Sequence, residues 1–247
     1  MIFSLDYKSH NKAKAQEIRC PWNQLGSILK FVKENPFKRY VVIFDKDASY
    51  SQVDLLQTIA KDYTIQCSTI PQLIESLNRG YNAFISYPIT TWEEFADLRR
   101  LKVSDIYIDS PLTFQTDKIK TVKEDIKIRV SPTVSPNSSF SAVKSPETFF
   151  IRPEDLFLYE GIIDVVDFKD PREDTLFDIY TRGTFNFNLN ELIPDLATSA
   201  NNLLFSDEFA KYRLNCRQLC KTPSHTCHLC SNYVRMAEAL PRLGKND

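Results

Sequence analysis

The 247-residue chain sets 31 Lys and Arg against 32 Asp and Glu, with 43% hydrophobic and 26% charged residues, the composition of an ordinary globular protein. The near balance of charge excludes a strongly basic nucleic-acid binder, although it leaves room for a local basic patch, and the chain holds no run of about 18 apolar residues, so no membrane span is predicted. Glycine is limited to positions 26, 80, 161, 183 and 244. Neither G-x-G-x-x-G nor a P-loop can be assembled from these, which argues against a glycine-cradled dinucleotide or nucleoside triphosphate.

In chain order, Met1–Asp6 has no positive segment followed by a long apolar core, so a cytoplasmic protein with reduced thiols is expected. Residues 2–6 read as a short strand. Residues 7–19 are polar and lysine-bearing, and predict an exposed connection. A helix over 21–34 follows, with Pro21 suited to its first turn and Trp22, Leu25, Leu29 and Val32 on one face. Tyr40–Asp45 is a continuous apolar run and predicts a strand buried on both faces. Residues 51–61 predict a helix capped by Ser51, with Val53, Leu56, Ile59 and Ala60 inward. Residues 63–68 read as a strand and 71–79 as a short helix, closed by Gly80 just beyond its end.

From there the punctuation is regular. Apolar runs at 83–87, 105–109, 127–130, 149–151 and 165–168 give way within a few residues to Pro88, Pro111, Pro132, Pro153 and Pro171. Proline suits a helix start, where its missing N–H is no loss. Thr91 and Glu94 have capping-box spacing ahead of a helix over 92–101, and Asp170-Pro171 with Glu173 reads as another helix start. A helix over 154–160 ends at Gly161, and the Ser- and Pro-rich stretch 134–146 reads as a loop. Residues 185–190 alternate like a last, half-exposed strand. Residues 206–214 read as helix, and Leu229, Tyr233, Met236 and Leu240 form the apolar face of a final helix stopped by Pro241. Eight or nine strands alternating with helices every 20–25 residues or so imply parallel pairing with crossovers. The fold expected is a TIM-like (β/α) barrel, regular or irregular, over residues 1–205, with an open doubly wound parallel sheet as the alternative. Residues 206–247 would form a C-terminal cysteine cluster and closing helix packed on it.

That cluster is Cys216, Cys220, Cys227 and Cys230, a C-x3-C-x6-C-x2-C pattern. Four thiolates this close can converge on one tetrahedral ion, and the C-x2-C pair is a common zinc half-site. Zn2+ is expected, with a [4Fe–4S] cluster as the alternative, since four cysteines also satisfy that cube. His225 and His228 beside Cys227 read as loop residues, and Cys20 and Cys67 as small buried hydrophobes. Basic residues around the cluster (Lys211, Arg213, Arg217, Lys221, Arg235, Arg242) form a local surface through which nucleic acid is a conceivable partner.

In a barrel of this kind the active site lies at the C-terminal ends of the strands. Polar or charged residues there are Asp45, Asp47, Tyr87, Asp109, Arg129, Arg152, Asp167, Lys169 and Asn188. Asp109, Arg129, Arg152, Asp167 and Lys169 come from four successive strands and are the candidates for a catalytic set. Carboxylates mixed with cations suit a polar or anionic ligand and proton transfer. The three histidines, His10, His225 and His228, follow no predicted strand, which disfavours a histidine-assisted nucleophile.

The stretches Asp105–Pro111, Ile128–Val130, Phe149–Leu156 and Ile163–Phe168 together resemble the collagenase-like peptidase family, over residues 82–170 or so. The resemblance implies a barrel fold and, from several members, a four-cysteine iron–sulfur centre used in oxidative modification of RNA or of quinone precursors. The family's E-x-F-x-x-G signature is absent and the cysteines here are more tightly spaced and C-terminal, so the resemblance does not carry peptidase activity with it.

Overall fold

The computed structural model describes residues 1–109, 112–131, 156, 159–168 and 173–182. Among them, eight strands run parallel in one sheet: β1 (Ile2–Asp6), β2 (Glu17–Pro21), β3 (Arg39–Ile43), β4 (Asp62–Cys67), β5 (Ala83–Ile85), β6 (Asp105–Tyr107), β7 (Lys127–Val130) and β8 (Val165–Asp167). Each is bonded to its sequence neighbour, and β8 returns to pair with β1. The one remaining seam, between β5 and β6, is bridged by backbone. The Ser104 N–H donates to Ala83 O at 3.0 Å, the Ile89 N–H to Tyr107 O at 2.8 Å, and the Asp109 N–H to Ile89 O at 3.0 Å. The sheet thus curls into a nearly closed α/β barrel.

The helices fill the crossovers: α1 (Leu25–Glu34), α2 (Ser51–Gln57), α3 (Ile70–Asn78), α4 (Trp92–Arg100), α5 (Thr116–Val122) and α6 (Glu173–Arg182). Local chemistry sets their ends. Thr69 accepts from the Gln72 N–H to start α3, with Pro71 in its first turn. Thr91 and Glu94 form the reciprocal capping box of α4 expected from their spacing. Gly80, at φ +83°, takes the left-handed position after α3. Lys102 (φ +59°) and Glu124 (φ +44°) do the same after α4 and α5 without glycine's freedom. Ser51 is the first residue of α2 and not its cap: the N-cap position falls to Tyr50, whose side chain makes no capping bond, and the Ser51 hydroxyl meets that of Ser49 at 3.0 Å. That helix also stops at Gln57, short of the predicted 61.

The stretch 7–19, read from sequence as an exposed connection, is the main correction to the fold. It holds β2, and Ser9, Asn11, Ala15, Glu17, Ile18 and Arg19 within it are all buried. The predicted strands at 149–151 and 185–190, and everything expected of 206–247, lie outside the described residues.

Two kinds of buried layer result. Ile18, Val42, Ile65, Ile85, Ile106, Ile128 and Val166 point outward and join Leu25, Val32, Leu56, Leu73, Phe95, Leu98 and Ile119 of the helices in one apolar cluster. Val41, Phe84 and Val165 are equally buried but stand outside that cluster. They alternate with the cluster residues along their strands, so they face the barrel interior. Their companions there are mostly charged.

Candidate functional site

The interior charges begin near the barrel floor. Glu17 opens β2, Arg39 opens β3 and Asp105 opens β6. Arg39 reaches Asp105 in a two-pronged contact at 2.8 and 2.6 Å, and Glu17 at 3.2 Å. Strands β3 and β6 are not neighbours, so this pair spans the barrel. Above it sits Arg129 of β7, wholly buried. Its guanidinium meets both oxygens of Glu17 at 2.7 Å, Asp105 at 3.4 Å and Asp167 of β8 at 3.4 Å, and lies 4.6 Å over the Phe84 ring. Near the C-terminal ends of the strands, Arg19 of β2 sets its Nε 3.0 Å from Asp167 and its Nη2 2.9 Å from Glu173, and donates to the carbonyl of Phe168.

Charge arithmetic explains the protonation states. Three guanidinium groups (Arg19, Arg39, Arg129) face four buried carboxyls (Glu17, Asp105, Asp167, Glu173), and the set continues outward from Arg39 to the half-exposed pair of Asp62 and Lys127, whose charges cancel. Burial pushes the Asp105 carboxyl up, but the Arg39 and Arg129 charges outweigh it and hold it down at about 2. Burial likewise opposes the charged form of Arg129, and Glu17, Asp105 and Asp167 together raise its pKa. Glu173, the fourth carboxyl, behaves in the opposite way. Its burial outweighs Arg19 and the Asp6 N–H, which donates to it at 3.1 and 3.3 Å, and its pKa is pushed up to about 7. With Glu173 protonated, three guanidinium groups face three carboxylates and the buried set is neutral.

Glu173 starts α6, and the next residue anchors the β1 loop. Asp174 accepts from the Ser9 hydroxyl and the Asn11 N–H (3.2 Å), and pairs with His10 at 2.9 Å. Ser, His and Asp therefore do meet here. The carboxylate is the hub, however: the serine donates directly to it and the imidazole is largely exposed, so this is a clasp of loop on helix rather than a triad. Tyr107, also inward at the upper end of β6, has its hydroxyl pKa raised by burial and by the nearby Asp167 charge.

Of the residues proposed from sequence, Arg129 and Asp167 come together in the interior, both 0% exposed. Asp109 is exposed at the end of β6. Arg152 and Lys169 lie outside the described residues, as do Cys216, Cys220, Cys227 and Cys230 and the basic residues around them. Among the described residues, no group of three or more His, Cys, Asp or Glu is arranged to hold a metal ion, and no helix is long and apolar enough to cross a membrane. The sequence reading missed Glu17, Arg19, Arg39, Asp105 and Glu173. A signal for three of them was present: Glu17-x-Arg19 and Asp105-x-Tyr107, like Lys127-x-Arg129, put polar residues two apart on short strands. In a barrel whose outer face must be apolar to receive helices, that polar row can only point in.

A comparison with models of known protein families gave no match, and neither did searches of curated proteins and of solved structures.

Proposed function

We propose that this barrel binds a polar or anionic ligand at the C-terminal ends of its strands and moves a proton there through Glu173, with Arg19 as the cationic partner. The observation that carries the reading is Glu173 itself: a largely buried carboxyl, 2.9 Å from a guanidinium, at the end of the barrel where this fold keeps its chemistry, poised near neutrality. An anionic ligand would be accepted with Glu173 protonated. The buried charges then balance, and the acid O–H becomes a donor toward the ligand.

In the same reading, Cys216, Cys220, Cys227 and Cys230 hold a zinc ion or, alternatively, a [4Fe–4S] cluster. The support is the donor set: four soft thiolates within fifteen residues suit either. Zinc would supply a structural staple and a cluster would supply electron transfer, as in the oxidative modification chemistry that the family resemblance suggests. Metal and sulfide content per chain after anaerobic purification separates the two. A second reading, a non-catalytic binding or assembly protein with structural zinc, is favoured by the complete burial and pairing of Arg129 and Asp167, which suits a stabilising role.

The test of the site is a thermal-shift panel of carboxylates and phosphate esters at pH 6 and pH 8. The expected result is stabilisation by one class at pH 6 that fades at pH 8, and loss of this pH dependence in Glu173→Gln. Binding with no pH dependence in the wild type, or binding by none of the panel, refutes the proton-linked site.

A further inference from the structure

We propose that Gln66 is the specificity-determining residue of the barrel mouth and that the ligand it selects is a hydroxylated anion: the anionic group sits at Arg19 and Glu173, and a ligand hydroxyl donates to Gln66 Oε1 on the facing wall. This names the ligand class of the proposed site and rests on that reading. Gln66 is the last residue but one of β4. It pairs with Ile43 on β3 and with Phe84 on β5, while its chain neighbours Ile65 and Cys67 belong to the outer apolar cluster, so its side chain points into the barrel. Around the ring of strands, β4 stands four places from β8 in either direction. Gln66 therefore looks across the interior toward the wall from which the chain runs on to Glu173. An eight-stranded barrel is wide enough there for side chains or for one small ligand.

What marks Gln66 out is its side-chain oxygen. The residue is only 6% exposed, and Oε1 makes no hydrogen bond to any described residue. Thr64, the inward residue below it, is by contrast tied to the Asn82 carbonyl at 3.1 Å and the Ser104 hydroxyl at 2.9 Å. Folded proteins pair nearly all buried polar groups, and an unmet acceptor costs stability. A residue that served packing alone would need no amide here. The surroundings select the kind of donor. Ile43 and Phe84 flank Gln66 on both sides, so an ammonium would be a charge set among apolar groups, whereas a hydroxyl is neutral. A hydroxyl also suits the amide whichever way it turns, because it both donates and accepts.

The experiment measures dissociation constants by calorimetry for probe pairs that differ by one hydroxyl: hydroxypropyl phosphate against propyl phosphate, and the terminal hydroxy acids of butyrate and hexanoate against their parent acids. Wild type and Gln66→Met are compared, each checked for native circular dichroism. In at least one pair the wild type is expected to favour the hydroxylated member roughly three- to tenfold, the worth of one neutral hydrogen bond, and Gln66→Met to bind both members alike. Discrimination that survives in Gln66→Met overturns the proposal. So does wild-type binding of both members alike in every pair, which is also what a resident water on Oε1 would produce. Should Gln66→Met not fold, the wild type alone decides by NMR: the Gln66 side-chain amide protons are expected to shift with the hydroxylated probe and not with its parent, and equal shifts overturn the assignment. Binding of no probe at all sinks the anion site and this inference with it, whereas binding without discrimination sinks this inference alone, so the two failures are told apart.

Discussion

At the scale of single residues, Arg129 shows how a buried charge is tolerated. A lone guanidinium in a barrel core would be prohibitive, yet Arg129 meets three carboxylates and an aromatic face. Such pairs add little net stability compared with an apolar core of the same shape, but breaking one is expensive because the partners stay buried. Arg129→Leu is therefore expected to destabilise the protein by about 3–5 kcal/mol, measured by urea unfolding, since it removes one of the two guanidinium partners of Glu17 and of Asp105 and takes the Arg129 contact from buried Asp167. Arg129→Lys is expected to recover only part of this, because an ammonium cannot fork to Glu17 while reaching Asp105 and Asp167. These residues were half legible. Arg129 and Asp167 stood out as charges at strand ends, whereas Glu17 and Arg19 sat in a stretch rich in lysine and asparagine that masked a four-residue alternation.

Among the elements, legibility followed the number of independent signals. The strand at Tyr40–Ile43 announced itself by β-branched residues buried on both sides. Helix α4 had a capping box at one end and an apolar stripe through Phe95 and Leu98. Strand β2 offered neither, because its inward face is charged and it is only five residues long. What makes β2 a strand is its pairing, with β1 on one side and β3 on the other, and that is a tertiary fact. Helix ends give a direct test of the local chemistry. Thr91→Ala removes the acceptor for the Glu94 N–H and is expected to lose about 1 kcal/mol. At the other end of the same helix, Lys102→Gly relieves a left-handed residue at an exposed site and is expected to gain about 0.5–1 kcal/mol. Urea midpoints of both variants against wild type check the pair, and equal signs would mean that the ends of α4 fray without consequence for the fold.

For the whole molecule, the interior charges tie the stability of the barrel to pH, and two carboxyls pull in opposite directions. Asp105 has a folded pKa of about 2, below its ordinary value, so its contribution is present above the ordinary carboxylate range and is lost as pH falls through 2. Glu173 has a folded pKa of about 7, above its ordinary value of 4.5. Between those two values the folded chain holds a proton that the unfolded chain has released, so stability falls as pH rises across this interval. At about 1.4 kcal/mol per unit, the loss from Glu173 approaches about 3 kcal/mol by pH 7.5. Glu173→Gln keeps a neutral side chain of the same shape and cannot ionise. Its urea midpoint is therefore expected to match wild type near pH 4.5 and to exceed it at pH 7.5, with the difference opening through pH 6. The comparison cancels every other titrating group, because both proteins share them. A constant offset between the two curves would mean that Glu173 does not carry the fourth, unbalanced charge, and that the proton resides elsewhere in the barrel.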